Sequence, residues 1–436
     1  MSQHSPERLK RDIGFVGSAV IALNGIIGAG IFALPGALAG EFGAFSPWMI
    51  LIFGLPIFLI AIPLAELASF YDRTGGPVSY AREAFGPFAA LQAGWTYFIA
   101  RLSAFAANVT VLAAYAGALF PQLDGAAGRA GVIAATTVFC AVVNIVGVRQ
   151  VVRALNALSI LKIAPLIGLA GLAFVLKGFG DAPVTLPRFS EIETASLLIL
   201  YAFIGFEHIL VFGGEARDAR RTIPRAMTAT LLATIALYFV VQLAYVAAMG
   251  TSDGGKAPLA AFGEALLGEA GAVIISLAAL FSIAGNCLGA TASTPRIAYA
   301  LALDGLLPKW LAATNPRFAT PANATLLFAA LSLVLALSGT FKLLAVVSTL
   351  ARLFVYAISL AALPLVRKKR GAPARTGVMK ILAPMILMLG LAFCAWAIAQ
   401  SKLEAWRVFV ALVAVGAALY GGAKFAKRLP IRPPAS

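Results

Sequence analysis

Charged residues are scarce in this sequence. They make up 12% of the 436 residues, whereas about a quarter of a typical soluble domain is charged. No stretch is both polar and long enough to form a separate soluble domain, and hydrophobic residues account for 61% of the chain. With a mean hydropathy of +0.92, the sequence predicts an all-α integral membrane protein whose residues 1-436 form a single membrane domain.

Histidine and cysteine are also rare. The histidines are His4 and His208, and the cysteines are Cys140, Cys287 and Cys394. So few histidines argue against a metal site or a catalytic triad built on them, and the cysteines lack the spacing of metal ligands. No other nucleophile motif is evident, so we expect no cofactor, no metal and no enzymatic activity.

Apolar segments of about 20 residues, long enough to cross a bilayer, recur along the whole chain. We count twelve, at 13-40, 43-66, 87-119, 130-148, 154-176, 194-214, 226-249, 270-302, 320-340, 343-366, 381-401 and 408-423.

Positive charge predicts how these spans are oriented. The basic residues Arg8, Lys10 and Arg11 precede an apolar segment too long for a cleavable signal peptide, so we expect the N-terminus in the cytoplasm. With twelve spans the C-terminus is cytoplasmic too, and most of the 34 lysines and arginines then lie on the inner side of the cell membrane. This bias and contact with anionic lipid explain the net charge of +16, and we infer no nucleic-acid partner.

The stretch NGIIGAGIFALP at 24-35 contains a glycine pattern typical of dinucleotide-binding turns. Such a turn needs a preceding strand and an acidic residue about 20 positions later, and Glu41 comes too soon. Two interpretations remain for Gly25, Gly28 and Gly30: a close-packing helix face, or a break at mid-membrane that exposes backbone polar groups to a site.

A second segment favours the break. The sixth span reads LLILYAFIGFEHILVFGGEARD, with Gly205 near its centre and the ionisable Glu207 beside it. The first and sixth spans run antiparallel because five spans separate them. Paired interruptions in two halves of a chain are typical of transporters built from inverted repeats.

The sequence resembles the amino acid-polyamine-organocation superfamily. The resemblance rests on motifs that occur in a fixed order along the chain. IIGAGIF lies in the first span, GGPVSYAREAFGPF leads into the third and GWTYF lies within it. AFIGFE lies in the sixth span, GGEARDARRTIPRA follows it, and RIAYALALDGLLP follows the eighth. It implies the leucine-transporter fold, with repeats at 12-178 and 194-370, two extra helices at 380-424, and discontinuous helices 1 and 6. It also implies a permease that works by alternating access.

An amino acid has two charged ends that two such breaks could hold. The carboxylate suits the N-terminus of the half-helix after the first break, and we assign it to Ile27, Gly28, Ala29 and Gly30. The ammonium group suits the carbonyls of Phe203, Ile204 and Gly205. The resemblance implies that Phe206 closes over the substrate as a gate, although packing is the alternative for this ring.

Lys162 lies within the fifth span, where a charge is costly and is functional by default. Some proton-coupled members of the superfamily have a lysine there in place of a sodium ion, and the resemblance assigns Lys162 to that role. We expect its ammonium to bond carbonyls near Asn24 and Gly25 and the eighth span around Ser282 and Gly285.

Further ionisable residues within the spans include Glu207, Arg101, Arg352 and Arg296. A buried bridge from Glu207 to Arg101 or Arg352 and direct contact of Glu207 with substrate are about equally favoured. Arg296 matches a position that is commonly basic in the superfamily. This excess of positive charge argues against a dicationic substrate, and we expect a neutral amino acid.

The leading prediction is therefore a proton-coupled amino acid symporter, as a monomer or homodimer. Amino acid or amine exchange and export remain as alternatives within transport. A membrane enzyme and a channel are the rival classes.

Overall fold

A computed structural model describes residues 14–71, 76–147, 163–179, 185–211, 218–318 and 320–428. These residues form α-helices joined by turns and short 3₁₀ segments, with no strand among them, so the predicted all-α class is confirmed for this part of the chain. The helices are α1 Phe15–Ile26, α2 Gly30–Phe42, α3 Ser46–Gly54, α4 Phe58–Ala68, α5 Gly76–Phe85, α6 Pro87–Leu119, α7 Ala126–Val146, α8 Ile163–Lys177, α9 Phe189–Phe203, α10 His208–Val211, α11 Ala219–Met249, α12 Pro258–Leu267, α13 Glu269–Ser293, α14 Pro295–Leu303, α15 Ala322–Ser338, α16 Phe341–Lys369, α17 Met379–Ala399 and α18 Leu403–Arg428.

Eight helical stretches of the described residues are long and apolar enough to cross a membrane. Four shorter apolar helices, α1, α8, α12 and α15, accompany them. The difference from the twelve predicted spans has identifiable causes: the first and sixth spans are interrupted, and residues 154–162 of the fifth span lie outside the described part. The count of twelve stays a prediction.

Two helices lie between the predicted spans. Residues 76–85 form α5, and residues 258–267 form α12, which packs against α13 and is half buried although it is too short to span a bilayer. Pro258 occupies the first helical turn of α12, where its missing N–H costs nothing. A short apolar helix of this kind cannot be told from an apolar loop by length alone.

Helices α6 and α16 form the centre of the bundle. In the most apolar window of α6, 83% of residues are buried, against 17% in α17 and α18. The two central helices pack against each other, and α17 and α18 pack on the outside of α16. The exposed apolar side chains of α17 and α18 are suited to lipid, so the functional residues are to be sought around α6 and α16.

Ion pairs join several helices at one end of the bundle. Glu66 at the end of α4 bonds Arg367 in the last turn of α16 and Arg375 beyond it, and Glu83 of α5 bonds Arg370 at 2.6 Å. Arg82 pairs with Asp304. We call these residues the ion-pair network; they tie α4, α5, α14 and α16 together at one end.

Candidate functional site

The backbone leaves the helix at two places where the sequence predicts a break. Helix α1 ends at Ile26 and α2 begins at Gly30, so residues 27–29 are not helical. Helix α9 ends at Phe203, and residues 204–207 form turns before α10 begins at His208. Each break leaves peptide groups outside the regular hydrogen-bond pattern of a helix.

The two breaks touch each other through glycine. A Cβ atom on Gly25 would lie 2.5 Å from the carbonyl oxygen of Gly205, and one on Gly205 would lie 2.2 Å from the carbonyl oxygen of Gly25. Gly205 also has φ +124°, which residues with a side chain rarely adopt. Close packing and a helix break are therefore compatible interpretations of these glycines, because close packing brings the two broken segments into contact.

A small cavity lies beside the two breaks. Its volume is about 30 Å³, room for about two water molecules. Gly25, Gly28, Ala29, Gly30 and Ile204 line it, together with the side chains of Arg101, Asn108, Tyr201, His208, Asn286 and Arg352.

Asn108 of α6 occupies the N-terminus of α2. Its side-chain oxygen accepts hydrogen bonds from the Ala29 N–H at 3.2 Å and from the Tyr201 hydroxyl at 3.1 Å. An amide oxygen that accepts a backbone N–H at a helix start mimics one oxygen of a bound carboxylate. The neighbouring N–H groups of Ile27 and Gly28 are bonded to the carbonyls of Leu23 and Ile26, so the geometry favours Ala29 and Gly30 within the predicted set.

Asn286 of α13 completes the polar lining. Its side-chain oxygen accepts from the Asn108 amide at 2.8 Å, and its own amide donates to the Asn24 carbonyl at 2.9 Å. The chain of bonds joins α1, α6 and α13 around the first break. A substrate that displaced Asn108 would therefore disturb all three helices.

Glu207 forms an ion pair with Arg352 of α16. The guanidinium donates to one carboxylate oxygen at 2.8 Å, and the Tyr356 hydroxyl and the Gly205 N–H donate to the other at 2.8 and 2.9 Å. Both charged side chains are buried. The structure thus contains the bridge to Arg352 and holds the second break against α16.

Arg101 is placed differently from the sequence-based alternative of a Glu207 bridge. Its guanidinium donates to Thr294 at 2.8 Å, to Ser293 at 2.7 Å and to the Tyr97 hydroxyl at 3.4 Å. These partners are all neutral, and the side chain is buried. Arg296, also assigned to a span, is exposed.

Phe206, the predicted gate, does not line the cavity in this conformation. Its ring packs against Tyr356 at 5.6 Å between centroids, and Phe203 packs against Tyr238 at 5.7 Å. Of the two alternatives for Phe206, a gate or a packing residue, this conformation shows packing. The resemblance points to Phe206 through its motif, but the motif does not show which aromatic ring faces the cavity.

A second, larger cavity opens at the end of the bundle opposite the ion-pair network. This vestibule has a volume of about 910 Å³ and is lined by Ala33, Thr110, Phe341, Lys256 and other residues of α2, α6, α7, α12, α15 and α16. Tyr201 lines the small cavity and meets Phe341 edge-on at 5.7 Å. This aromatic pair lies between the small cavity and the vestibule.

Lys162 lies outside the described residues, so its predicted contacts remain a prediction. Of its expected partners, Asn24 accepts a bond from Asn286, while Ser282 and Gly285 are buried in α13. The Ser282 hydroxyl has no hydrogen-bond partner among the residues that the structure describes.

Sequence reasoning missed Asn108, Tyr201, His208 and Asn286 as lining residues. The available signal was polarity: an asparagine is costly within an apolar span unless it is bonded, and each of Asn108 and Asn286 interrupts one. His208 enters the sequence analysis only as one of two histidines, too few for a metal site or a catalytic triad. Within the described ranges no cluster of His, Cys, Asp and Glu could hold a metal ion.

Comparison with known proteins gives consistent matches. Residues 13–419 match the family model described as amino acid permease. An uncharacterized transporter of Mycobacterium tuberculosis is 30% identical over 95% of this chain and 92% of its own. The serine/threonine exchanger SteT of Bacillus subtilis is 26% identical over 83% of this chain and 84% of its own, and the methylthioribose transporter of the same species is 25% identical over 96% and 94%.

Proposed function

Because the chain belongs to the amino acid permease family, a family of membrane transporters rather than enzymes, we propose that it carries an amino acid across the cell membrane by alternating access. The observation that carries this proposal is the cavity at the paired helix breaks, where the Asn108 oxygen occupies a backbone N–H at the start of α2. An amide oxygen bonded to the Ala29 N–H supports a site that takes an oxygen acceptor such as a carboxylate.

The substrate's carboxylate would displace the Asn108 oxygen and bind the N–H groups of Ala29 and Gly30. The positive end of the α2 dipole, equivalent to about half a charge, favours an anion there. The ammonium group would bind carbonyls of the second break, at Phe203, Ile204 and Gly205. The empty cavity holds about two waters, so binding requires Asn108 and Asn286 to move apart.

The conformation supports an outward-facing resting state. The vestibule is open at one end, and the ion-pair network joins four helices at the other. We place the vestibule outside the cell, in agreement with cytoplasmic termini, and assign Tyr201 and Phe341 as the barrier between it and the site. We expect inverted repeats at 12-178 and 194-370, with two extra helices at 380-424. Movement of one repeat relative to the other would close the vestibule and open the opposite end.

Proton coupling through Lys162 is part of the proposal. The buried Ser282 hydroxyl has no partner among the described residues, as expected if it bonds a group from the undescribed part of the fifth span. A protonated Lys162 would bond Ser282 and the first break, and deprotonation would release both.

Uptake into proteoliposomes tests this function. The wild-type protein should accumulate a labelled amino acid when a pH gradient is imposed, and Lys162→Ala should abolish that accumulation. Lys177→Ala is the matched control, because Lys177 is exposed at the end of α8 and should behave as wild type. Full pH-driven accumulation by Lys162→Ala would refute the coupling role.

Exchange is the second candidate, favoured by the similarity to a serine/threonine exchanger. An exchanger would take up label only into liposomes preloaded with unlabelled amino acid. A symporter would also take it up into empty liposomes against a gradient. Comparing the two loadings separates them.

A further inference from the structure

The buried charges around the cavity do not balance. Among the residues that the structure describes, three charged side chains are buried: Arg101, Arg352 and Glu207. Two are cationic and one is anionic. A buried charge is costly unless it is paired. The position of the unpaired cation therefore indicates where an anion would bind.

Among the described residues, Arg352 is the cation that Glu207 bonds. Its two oxygens accept bonds from the Arg352 guanidinium, the Tyr356 hydroxyl and the Gly205 N–H. The pair Glu207 and Arg352 is therefore neutral as a unit, and the excess positive charge belongs to Arg101.

Arg101 has neutral partners and spare donors. A guanidinium has five N–H groups, and three of those on Arg101 donate to Thr294, Tyr97 and Ser293. The residue lines the same cavity as Asn108. Its other N–H groups have no partner among the residues that the structure describes, and a planar guanidinium with N–H groups available at a cavity wall is suited to bind a carboxylate.

We propose that the substrate carries a second acid group, beyond its α-carboxylate, and that Arg101 binds it. This inference rests on the proposed function and names its substrate class: a small acidic amino acid. Arg101 and Asn108 both lie on α6, seven residues and about 10 Å apart along the helix axis. A short acidic side chain and the long arginine side chain together span that separation, while the α-carboxylate occupies the Asn108 position.

From the sequence we expect a neutral amino acid, because an excess of positive charge argues against a dicationic substrate. Among the described residues that excess lies on Arg101, since Arg352 is paired with Glu207, and it favours an acidic substrate over a neutral one. A second role for Arg101 is a brace that joins α6 to the junction of α13 and α14 through Ser293 and Thr294. A brace affects stability, whereas an anion-binding residue sets selectivity.

Binding to the purified full-length protein distinguishes these roles. Affinities of wild type are measured for glutamate and aspartate and for their isosteric amides, glutamine and asparagine. Because a hydrogen-bonded charge pair contributes more than a neutral bond, we expect an acidic amino acid to bind at least about tenfold more tightly than its amide. Equal affinities, or tighter binding of the amides, would overturn the proposal. Failure to bind or transport any amino acid would instead overturn the proposed function.

Two variants locate the effect. Arg101→Gln should lower the affinity for the acid much more than the affinity for the amide and so lose the preference, whereas Arg407→Gln, which alters an exposed arginine on α18, should keep it. The double variant Ser293→Ala, Thr294→Val removes two neutral partners but keeps the charge, so it should keep the preference as well. Loss of the preference in this double variant, or its persistence in Arg101→Gln, would show that Arg101 is a brace. If Arg101→Gln does not fold, the wild-type affinities alone decide.

Discussion

At the scale of single residues, Asn108 is the side chain around which the site is organised. Its oxygen accepts from Ala29 and Tyr201, and its amide donates to Asn286. All of its polar groups are therefore used when the site is empty. A ligand must offer equivalent bonds to replace it, and a carboxylate does so at the start of α2.

Substitution of Asn108 tests this mimicry. Asn108→Asp would place a permanent carboxylate where the substrate's carboxylate is proposed to bind, and repulsion between like charges should weaken binding at least about tenfold. Asn108→Ala, the control, removes the competing oxygen without adding charge and should bind the substrate better than Asn108→Asp does. Equal affinity of the two variants, measured by equilibrium binding, would contradict the assignment.

Glu207 illustrates the cost of a broken buried pair. Glu207→Gln leaves Arg352 charged and unpaired inside the protein, so we expect the free energy of unfolding to fall by about 3–5 kcal/mol. Thermal unfolding in detergent measures the loss, and replacing Arg352 with Gln as well should restore part of it. Glu404→Gln, which changes an exposed carboxylate, is the control and should leave the midpoint of thermal unfolding unchanged. A Glu207→Gln protein as stable as wild type would show that the pair contributes nothing.

At the scale of elements, the breaks and the rings around them define the route into the site. The aromatic contact joins α9, through Tyr201, to the first residue of α16, Phe341. Movement of either helix would open the cavity to the vestibule. Phe206 packs behind the second break against Tyr356, so in this conformation it supports the break.

Labelling of a cysteine tests the aromatic barrier. The native cysteines are buried, and Ala104→Cys would place a thiol on the cavity wall. Adding Phe341→Ala should raise the rate of maleimide labelling several-fold because the ring no longer blocks the route. The exposed Phe120→Ala serves as the control. An unchanged rate with Phe341→Ala would mean that the barrier lies elsewhere.

The ion-pair network should respond to acid. The hydrogen bond from Arg370 lowers the pKa of Glu83 below its usual value of 4.5. A lowered folded-state pKa stabilises the protein above the unfolded-state pKa, and that contribution is lost as the pH falls through the folded-state pKa. For a partly exposed pair we expect about 0.5–1 kcal/mol.

A pH series compares wild type with Glu83→Gln. The variant should be less stable at neutral pH, and the difference should disappear well below pH 4.5. A difference of constant size at every pH would mean that the carboxylate charge is not its cause.

At the scale of the whole molecule, a vestibule opens at one end of the described bundle and the ion-pair network joins helices at the other. The vestibule is lined by both α2 and α16, and the last turn of α16 belongs to the ion-pair network. One helix therefore contacts both ends of the pathway. A shift of α16 that closed the vestibule would also strain the network, which is the coupling that alternating access requires.

The sequence predicts the membrane class from composition and the family from an ordered set of motifs. It also predicts both breaks, because glycines within a single span mark each of them. It could not choose between Arg101 and Arg352 as the partner of Glu207, since that depends on how α6 and α16 pack around the second break. It also missed the hydrogen bonds of Asn108 and Asn286, which form only where α1, α6 and α13 meet around the first break. Residues far apart in the chain are brought together only by packing, which spacing along one span does not reveal.

An experimental structure with bound amino acid tests the central claim most directly. The account predicts that the ligand's carboxylate lies within hydrogen-bond distance of the Ala29 or Gly30 N–H, and that the Asn108 oxygen has moved away from Ala29. A ligand held in the vestibule or elsewhere, with the bond between Asn108 and Ala29 intact, would contradict it.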